Sequence, residues 1–196
     1  MTAGDAVTGR LPSPAVVRLT QQTLERLRDR LRARGERASV VLPSAGTSVE
    51  LMDAYQIVSE YGPLVEAMFL VMLADGRVKN VERDVLRGAL RVLSNDRVRS
   101  THMESMLDVA ARNVAEQGLE ARLAEVIERL RHDTAKAETC YVLANAVAAA
   151  DHVVVAEEEA ILTKLAEGLG IEEARANQLV LDLSSTSPEI VKPDGL

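Results

Sequence analysis

A stretch of twenty residues occurs twice in this chain. Residues 74–93 read ADGRVKNVERDVLRGALRVL, and residues 150–169 read ADHVVVAEEEAILTKLAEGL. At an offset of 76 they share six identities: Ala74/Ala150, Asp75/Asp151, Val78/Val154, Glu82/Glu158, Leu86/Leu162 and Leu93/Leu169. Each copy carries an Asp and, seven residues on, a Glu. Each lies between an apolar run before it and an amphipathic run after it. A repeated helix–acidic loop–helix unit predicts two similar hairpins about a pseudo-two-fold axis. Residues 64–93 and 140–169 should then superpose, with Asp75 over Asp151 and Glu82 over Glu158.

Composition agrees with an all-α fold. The 196 residues suffice for one full core. Hydrophobic residues make up 47%, yet aromatics only 2%, so the core must be built from Leu, Val, Ala, Met and Ile. Six Pro and eleven Gly are too few for a multi-stranded protein with a turn every ten residues or so. Met68, Leu70, Val71, Val147 and Leu162 are the expected core, since their helices are apolar over most of their circumference.

The single cysteine, Cys140, excludes an intramolecular disulfide and suits a reducing compartment. The N-terminus has no apolar signal-peptide core. The most apolar stretches, Met68–Ala74 and Tyr141–Ala150, are too short to cross a bilayer. The expectation is a soluble, cytoplasmic protein. Net charge is −7, unevenly spread: residues 18–37 hold seven Arg against three acids, and residues 138–190 hold ten acids against Lys164 and Arg175. Such asymmetry serves to steer a partner, to join two copies of the chain, or simply to solvate the surface.

Along the chain, residues 1–12 lack periodicity. Ser13-Pro14 has the form of a helix start, and an Arg-rich amphipathic helix follows, striped by Val17, Leu24, Leu27 and Leu31 and ended by Gly35. Residues 35–47 read as a linker, so residues 1–47 form an N-terminal extension. Residues 48–183 form the helical domain, and 184–196 a flexible tail rich in Ser and Pro. Within the domain, a helix over 49–60 should break at Gly62-Pro63 and a second run from Leu64 to Ala74. Further helices are expected over Asn80–Leu93, from Thr101 to about Glu116 with Thr101 and Glu104 as a capping box, over Leu119–Leu130, from Asp133 or Thr134 to Ala150, over Glu157–Leu169, and beyond Ile171.

These residues resemble the tellurite-resistance TerB family and the related helical domain of DjlA-type co-chaperones. The resemblance rests on Ala-Asp-Gly-x-Val-x-x-x-Glu at Ala74–Glu82 and its degenerate twin at Ala150–Glu158, and it covers about residues 50–183. It implies a compact, internally pseudo-symmetric helical bundle, here with an extra N-terminal helix. It also implies a non-enzymatic scaffold or sensor of a bacterial stress response, working with membrane-associated complexes, and it links the repeated acids to divalent metal. The chain departs from the pattern where His152 replaces Gly. Lys79 and Val155 stand where a helix N-cap usually offers Ser, Thr or Asp.

Two roles fit Asp75, Glu82, Asp151 and Glu158. As metal ligands they would bring hard oxygens to one calcium or magnesium ion, with Glu66, Asp84, Glu157 and Glu159 near enough in sequence to assist. As structural groups, an Asp at a loop start bonds the backbone two residues on, and a Glu in the first helical turn bonds free N–H groups. The spacing matches no EF-hand. His102, His132 and His152 have no metal-ligand spacing, and Cys140 reads as a small core residue. No phosphate loop, dinucleotide fingerprint or nucleophile elbow occurs. The Arg-rich helix lacks interleaved aromatics, which argues against nucleic acid. A protein partner, or a second copy of the chain, is expected instead. The alternatives are an interaction module without metal and, less well supported, a metal-dependent enzyme.

Overall fold

The computed structural model describes residues 21–35, 48–172, 174–175 and 178, and all regular structure among them is α-helical. The helices are α1 (Gln21–Gly35), α2 (Ser48–Met72), α3 (Asn80–Leu93), α4 (Ser100–Gln117), α5 (Leu119–Leu130), α6 (Thr134–Ala148) and α7 (Ala156–Leu169). Four expectations lie outside the described residues: the leader, the Ser13-Pro14 cap, most of the linker, and the tail. The helix beyond Ile171 lies largely outside them as well.

Helices α2 and α6 are the central pair. Helix α2 packs against α4, α5, α6 and α7, and α6 also touches α3, α7 and α1. Helix α6 is apolar nearly all round, so Cys140 through Ala150 are buried with almost no interruption. The five expected core residues, Met68, Leu70, Val71, Val147 and Leu162, are all buried.

The two repeats have the same local geometry. Helices α2 and α6 end at Met72 and Ala148, and α3 and α7 begin at Asn80 and Ala156, each pair 76 residues apart. The N-cap residues Lys79 (φ −89°, ψ 149°) and Val155 (φ −85°, ψ 162°) are both extended. Gly76 and His152 both take positive φ, 78° and 71°. Glycine adopts that region freely, whereas His152 is strained there. No strand forms at 153–155.

Three local expectations are corrected. Gly62-Pro63 does not break the chain: α2 runs through it from Ser48 to Met72. Pro63 has no N–H to give the carbonyl of Ser59, a loss of the order of 3 kcal/mol in a helix interior. Burial of Ile57 and Tyr61 before the proline, and of Leu64 and Val65 after it, keeps both halves helical and outweighs that loss. Second, α4 starts at Ser100 with Arg99 as N-cap, and not with a Thr101/Glu104 box. Glu104 turns instead to Arg83 and Arg87 on α3, while the Nδ1 of His102 accepts from the Arg99 N–H at 3.3 Å. Third, α6 stops at Ala148, with Ala149 as its C-cap, and not at Ala150.

Helix α1 belongs to the same core as the rest. Leu27 and Leu31 are buried in it, and α1 lies along α3. Two glycines permit the approach. A Cβ at Gly88 would stand 1.7 Å from the Leu31 carbonyl oxygen, and one at Gly35 would stand 1.8 Å from that of Asp84. Arg91 donates to the Arg34 carbonyl at 2.7 Å and Arg87 to the Gly35 carbonyl at 3.4 Å, so cations of α3 meet the negative end of α1.

Candidate functional site

The acidic loops meet where the two hairpins face each other. Each of the four acids spends one oxygen on its own backbone. The Oδ1 of Asp75 accepts from the Arg77 N–H at 2.8 Å, and the Oδ1 of Asp151 from the Val153 N–H at 3.1 Å. The Oε2 of Glu82 accepts from the Lys79 N–H at 3.1 Å, and the Oε2 of Glu158 from the Val155 N–H at 3.0 Å. Neither Lys79 nor Val155 has a side-chain acceptor, so only the Glu half of a capping box is made. The structural role is thus fulfilled at all four positions, identically in the two repeats.

The second oxygen of each acid is what remains for chemistry. The ammonium of Lys79 gathers three of them: Asp151 Oδ2 at 2.8 Å, and Asp75 Oδ2 and Glu82 Oε1 at 3.4 Å. Glu82 and Glu158 are each only 1% exposed. The Oε1 of Glu82 lies in ion-pair range of Lys79 without a hydrogen bond, and the Oε1 of Glu158 is buried with no partner at all. The spacing Asp75–Lys79–Glu82 is legible in the sequence as i, i+4 and i, i+3. The contact from Lys79 to Asp151, across the pseudo-axis, is not.

The electrostatics follow from this packing. The hydrogen bond to Asp151 is the largest influence on Lys79, and it holds the ammonium's pKa above its ordinary value. Burial is the largest influence at Asp151 and pushes upward, but the bonds from Lys79 and Val153 together outweigh it and leave the carboxyl low. At Glu82 burial wins, and the pKa rises. At Glu158 burial, with repulsion from Glu82 and Asp151, outweighs the Val155 bond and the pull of Lys79, and lifts the carboxyl to about 7.

Glu158 therefore keeps its proton in the folded chain up to about pH 7, while an ordinary glutamate releases it near 4.5. Between those values the folded state binds more protons, so stability falls as pH rises and levels off above about 7. Glu82, also raised by burial, acts in the same sense, as does Lys79 above pH 10.5, whereas Asp151 acts in the opposite sense and only below 3.8. Glu158→Gln is expected to flatten this slope and to raise stability at pH 8 by about 1–2 kcal/mol. Its amide oxygen can still accept from Val155, and its NH₂ supplies a donor where Oε1 has none. Urea unfolding of parent and variant at pH 5 and pH 8 checks it; equal slopes in both would refute it.

The neighbouring acids are engaged elsewhere or exposed. Glu66, buried, takes a two-pronged bond from Arg122 at 2.7 and 2.9 Å. Asp84 pairs with Arg87, and Glu157 and Glu159 are exposed. Hence these four do not join the cluster. Among the described residues no group of three or more His, Cys, Asp or Glu side chains is arranged to hold a metal ion. The acids as they stand fit an ammonium, and a divalent cation would have to displace it.

The other singled-out residues have structural places. The Nδ1 of His152 lies 2.8 Å from a guanidinium nitrogen of Arg28, which also donates to the Ala149 carbonyl at 3.3 Å. His132 bonds Glu128 on the surface. Cys140 is wholly buried, and burial pushes its thiol up to about 12, too high for a nucleophile at neutral pH. Among the described residues no helix is long and apolar enough to cross a membrane.

A second feature escaped the sequence. Helices α2 and α4 leave an open groove of about 290 Å³, lined by Tyr55, Val58, Gly62 and Pro63 on one wall and Met106, Val109 and Ala110 on the other, with Glu66, Asn113 and Arg129 also on its lining. Tyr55 is 73% exposed, and Val58 and Val109 are also exposed. Their spacing on two helices separated in the chain hides the groove from periodicity.

The model of the family described as tellurite resistance protein TerB matches residues 64–181. Comparison with curated proteins and with solved structures gives no match.

Proposed function

The chain belongs to the TerB family, and from that premise we propose that it is a non-enzymatic scaffold of a bacterial stress response, acting by holding a protein partner in the α2–α4 groove. The observation that carries this reading is the groove itself. Tyr55, Val58 and Val109 present apolar surface to solvent around it, and Pro63 on the same lining leaves the Ser59 carbonyl without its usual helical donor. Arg129, exposed on the lining, adds a cation. The partner that suits these groups is an amphipathic helix with an apolar face and a carboxylate beside it. Two further observations favour a binder over an enzyme. The thiol sits deep in the core, and the four acids are held by their own loops and by Lys79.

A photo-crosslinking residue placed at position 55, in cells, tests the reading. It should capture one protein reproducibly, and the purified pair should rebind. Val109→Asp should then weaken binding by roughly 10-fold or more, as loss of a central apolar contact does. Arg129→Glu should weaken it too. Affinity untouched by both changes would remove the groove from the account. Capture of a second copy of the chain would replace the partner by self-association.

A further inference from the structure

We propose that Lys79 is the resident cation of the four-carboxylate site, and that a divalent cation binds there only once this ammonium is removed. The inference is independent of the groove. It starts from a mismatch in number. The two repeats bring four carboxylates to one place, but only one carries a cation: the position equivalent to Lys79 is Val155. An ammonium has three N–H donors. Three carboxylate oxygens, from Asp75, Glu82 and Asp151, stand within ion-pair range of it.

The fourth acid is left over. Glu158, 1% exposed, keeps a buried Oε1 with no partner. Glu158 stands in the second repeat where Glu82 stands in the first, and it interacts electrostatically with Glu82, Lys79 and Asp151. An orphaned buried carboxylate oxygen is costly, and native folds avoid it. Here the one ammonium holds Oε1 of Glu82 by ion-pair attraction alone and leaves Oε1 of Glu158 with nothing, so both buried oxygens lack a hydrogen bond. A calcium ion, which takes six to eight oxygens, would use the fourth.

Competition favours the lysine in the parent. The ammonium is tethered beside its acids, so it needs no diffusional encounter. A divalent ion must shed water and also push the ammonium out toward solvent. With the lysine in place, like charge repels the incoming ion at a few ångströms. Without it, Asp75, Glu82 and Asp151 lose the cation that they share.

The experiment compares the 196-residue parent with Lys79→Met, which keeps the aliphatic stem and removes the charge. Each is titrated with calcium chloride and magnesium chloride in a calorimeter, and melted in chelator and in calcium. The parent is expected to show no saturable binding and no shift of its melting curve. Lys79→Met should bind one calcium ion at least about 100-fold more tightly than the parent. Its melting midpoint, lowered in chelator, should return toward the parent's as calcium is added. Adding Glu158→Gln to Lys79→Met should weaken that binding. Tight calcium binding by the parent, or none by Lys79→Met, overturns the proposal. Should Lys79→Met fold only with calcium, that result supports it. Should it fold in neither condition, Lys79→Gln, neutral but still a donor, is titrated in its place and decides by the same two outcomes.

Discussion

Arg122→Ala is expected to destabilise the chain by about 3–5 kcal/mol, the loss seen when one partner of a buried ion pair is removed. Arg122 and Glu66 are 4% and 5% exposed, and the guanidinium grips both oxygens of the carboxylate. Asn113 adds one weak bond to Glu66, at 3.3 Å. Alanine at 122 would strand a carboxylate between α2 and α5 with little else to satisfy it. Much of the expected loss is that stranded charge, so removing both partners should cost far less. The double variant Glu66→Leu/Arg122→Met should lie within about 1.5 kcal/mol of the parent. Urea unfolding of the single and double variants measures both values. A single variant costing under about 1 kcal/mol, or a double costing as much as the single, would show that the pair is solvated in solution.

Gly88→Val should cost about 3 kcal/mol or more, the upper end for overpacking a close contact. A Cβ there would sit 1.7 Å from the Leu31 carbonyl oxygen, and a backbone carbonyl cannot swing aside as a side chain can. Helix α1 must then leave α3. That would expose Leu27 and Leu31 and free the arginines that hold its C-terminal carbonyls. Hydrogen exchange should show α1 amides losing protection first, while those of α5, which packs on α2 and α7, keep theirs. Full α1 protection in Gly88→Val, with unchanged stability, would mean that the helices stand further apart than described here.

The matched family segment begins at residue 64, yet α1 and the first half of α2 share its core. A chain shortened to the matched segment would leave the α3 face around Gly88 and Arg91 uncovered. Helix α1 of the N-terminal segment packs into the core of the helical domain.

Much of this was readable before any coordinate. The duplicated motif sets both hairpins, because Asp at the loop start and Glu at the third helical position satisfy their own backbone wherever such a loop occurs. Those contacts span two or three residues, and local spacing determines local bonds. The aliphatic core was readable for the same reason: a helix apolar all round has only one place to go. What sequence could not determine lies at longer separation. Pro63 reads locally as a break, and only burial on both sides keeps α2 continuous. The need for a glycine at 88 comes from the approach of α1 and not from its own helix. Lys79 reads as an imperfect cap. That its ammonium reaches Asp151 in the other repeat, taking the place among the acids that a metal would need, is decided by how the two hairpins face each other. No pattern along the chain encodes that distance, since it is set by the packing of α2, α3, α6 and α7 and not by the spacing of residues within any one of them.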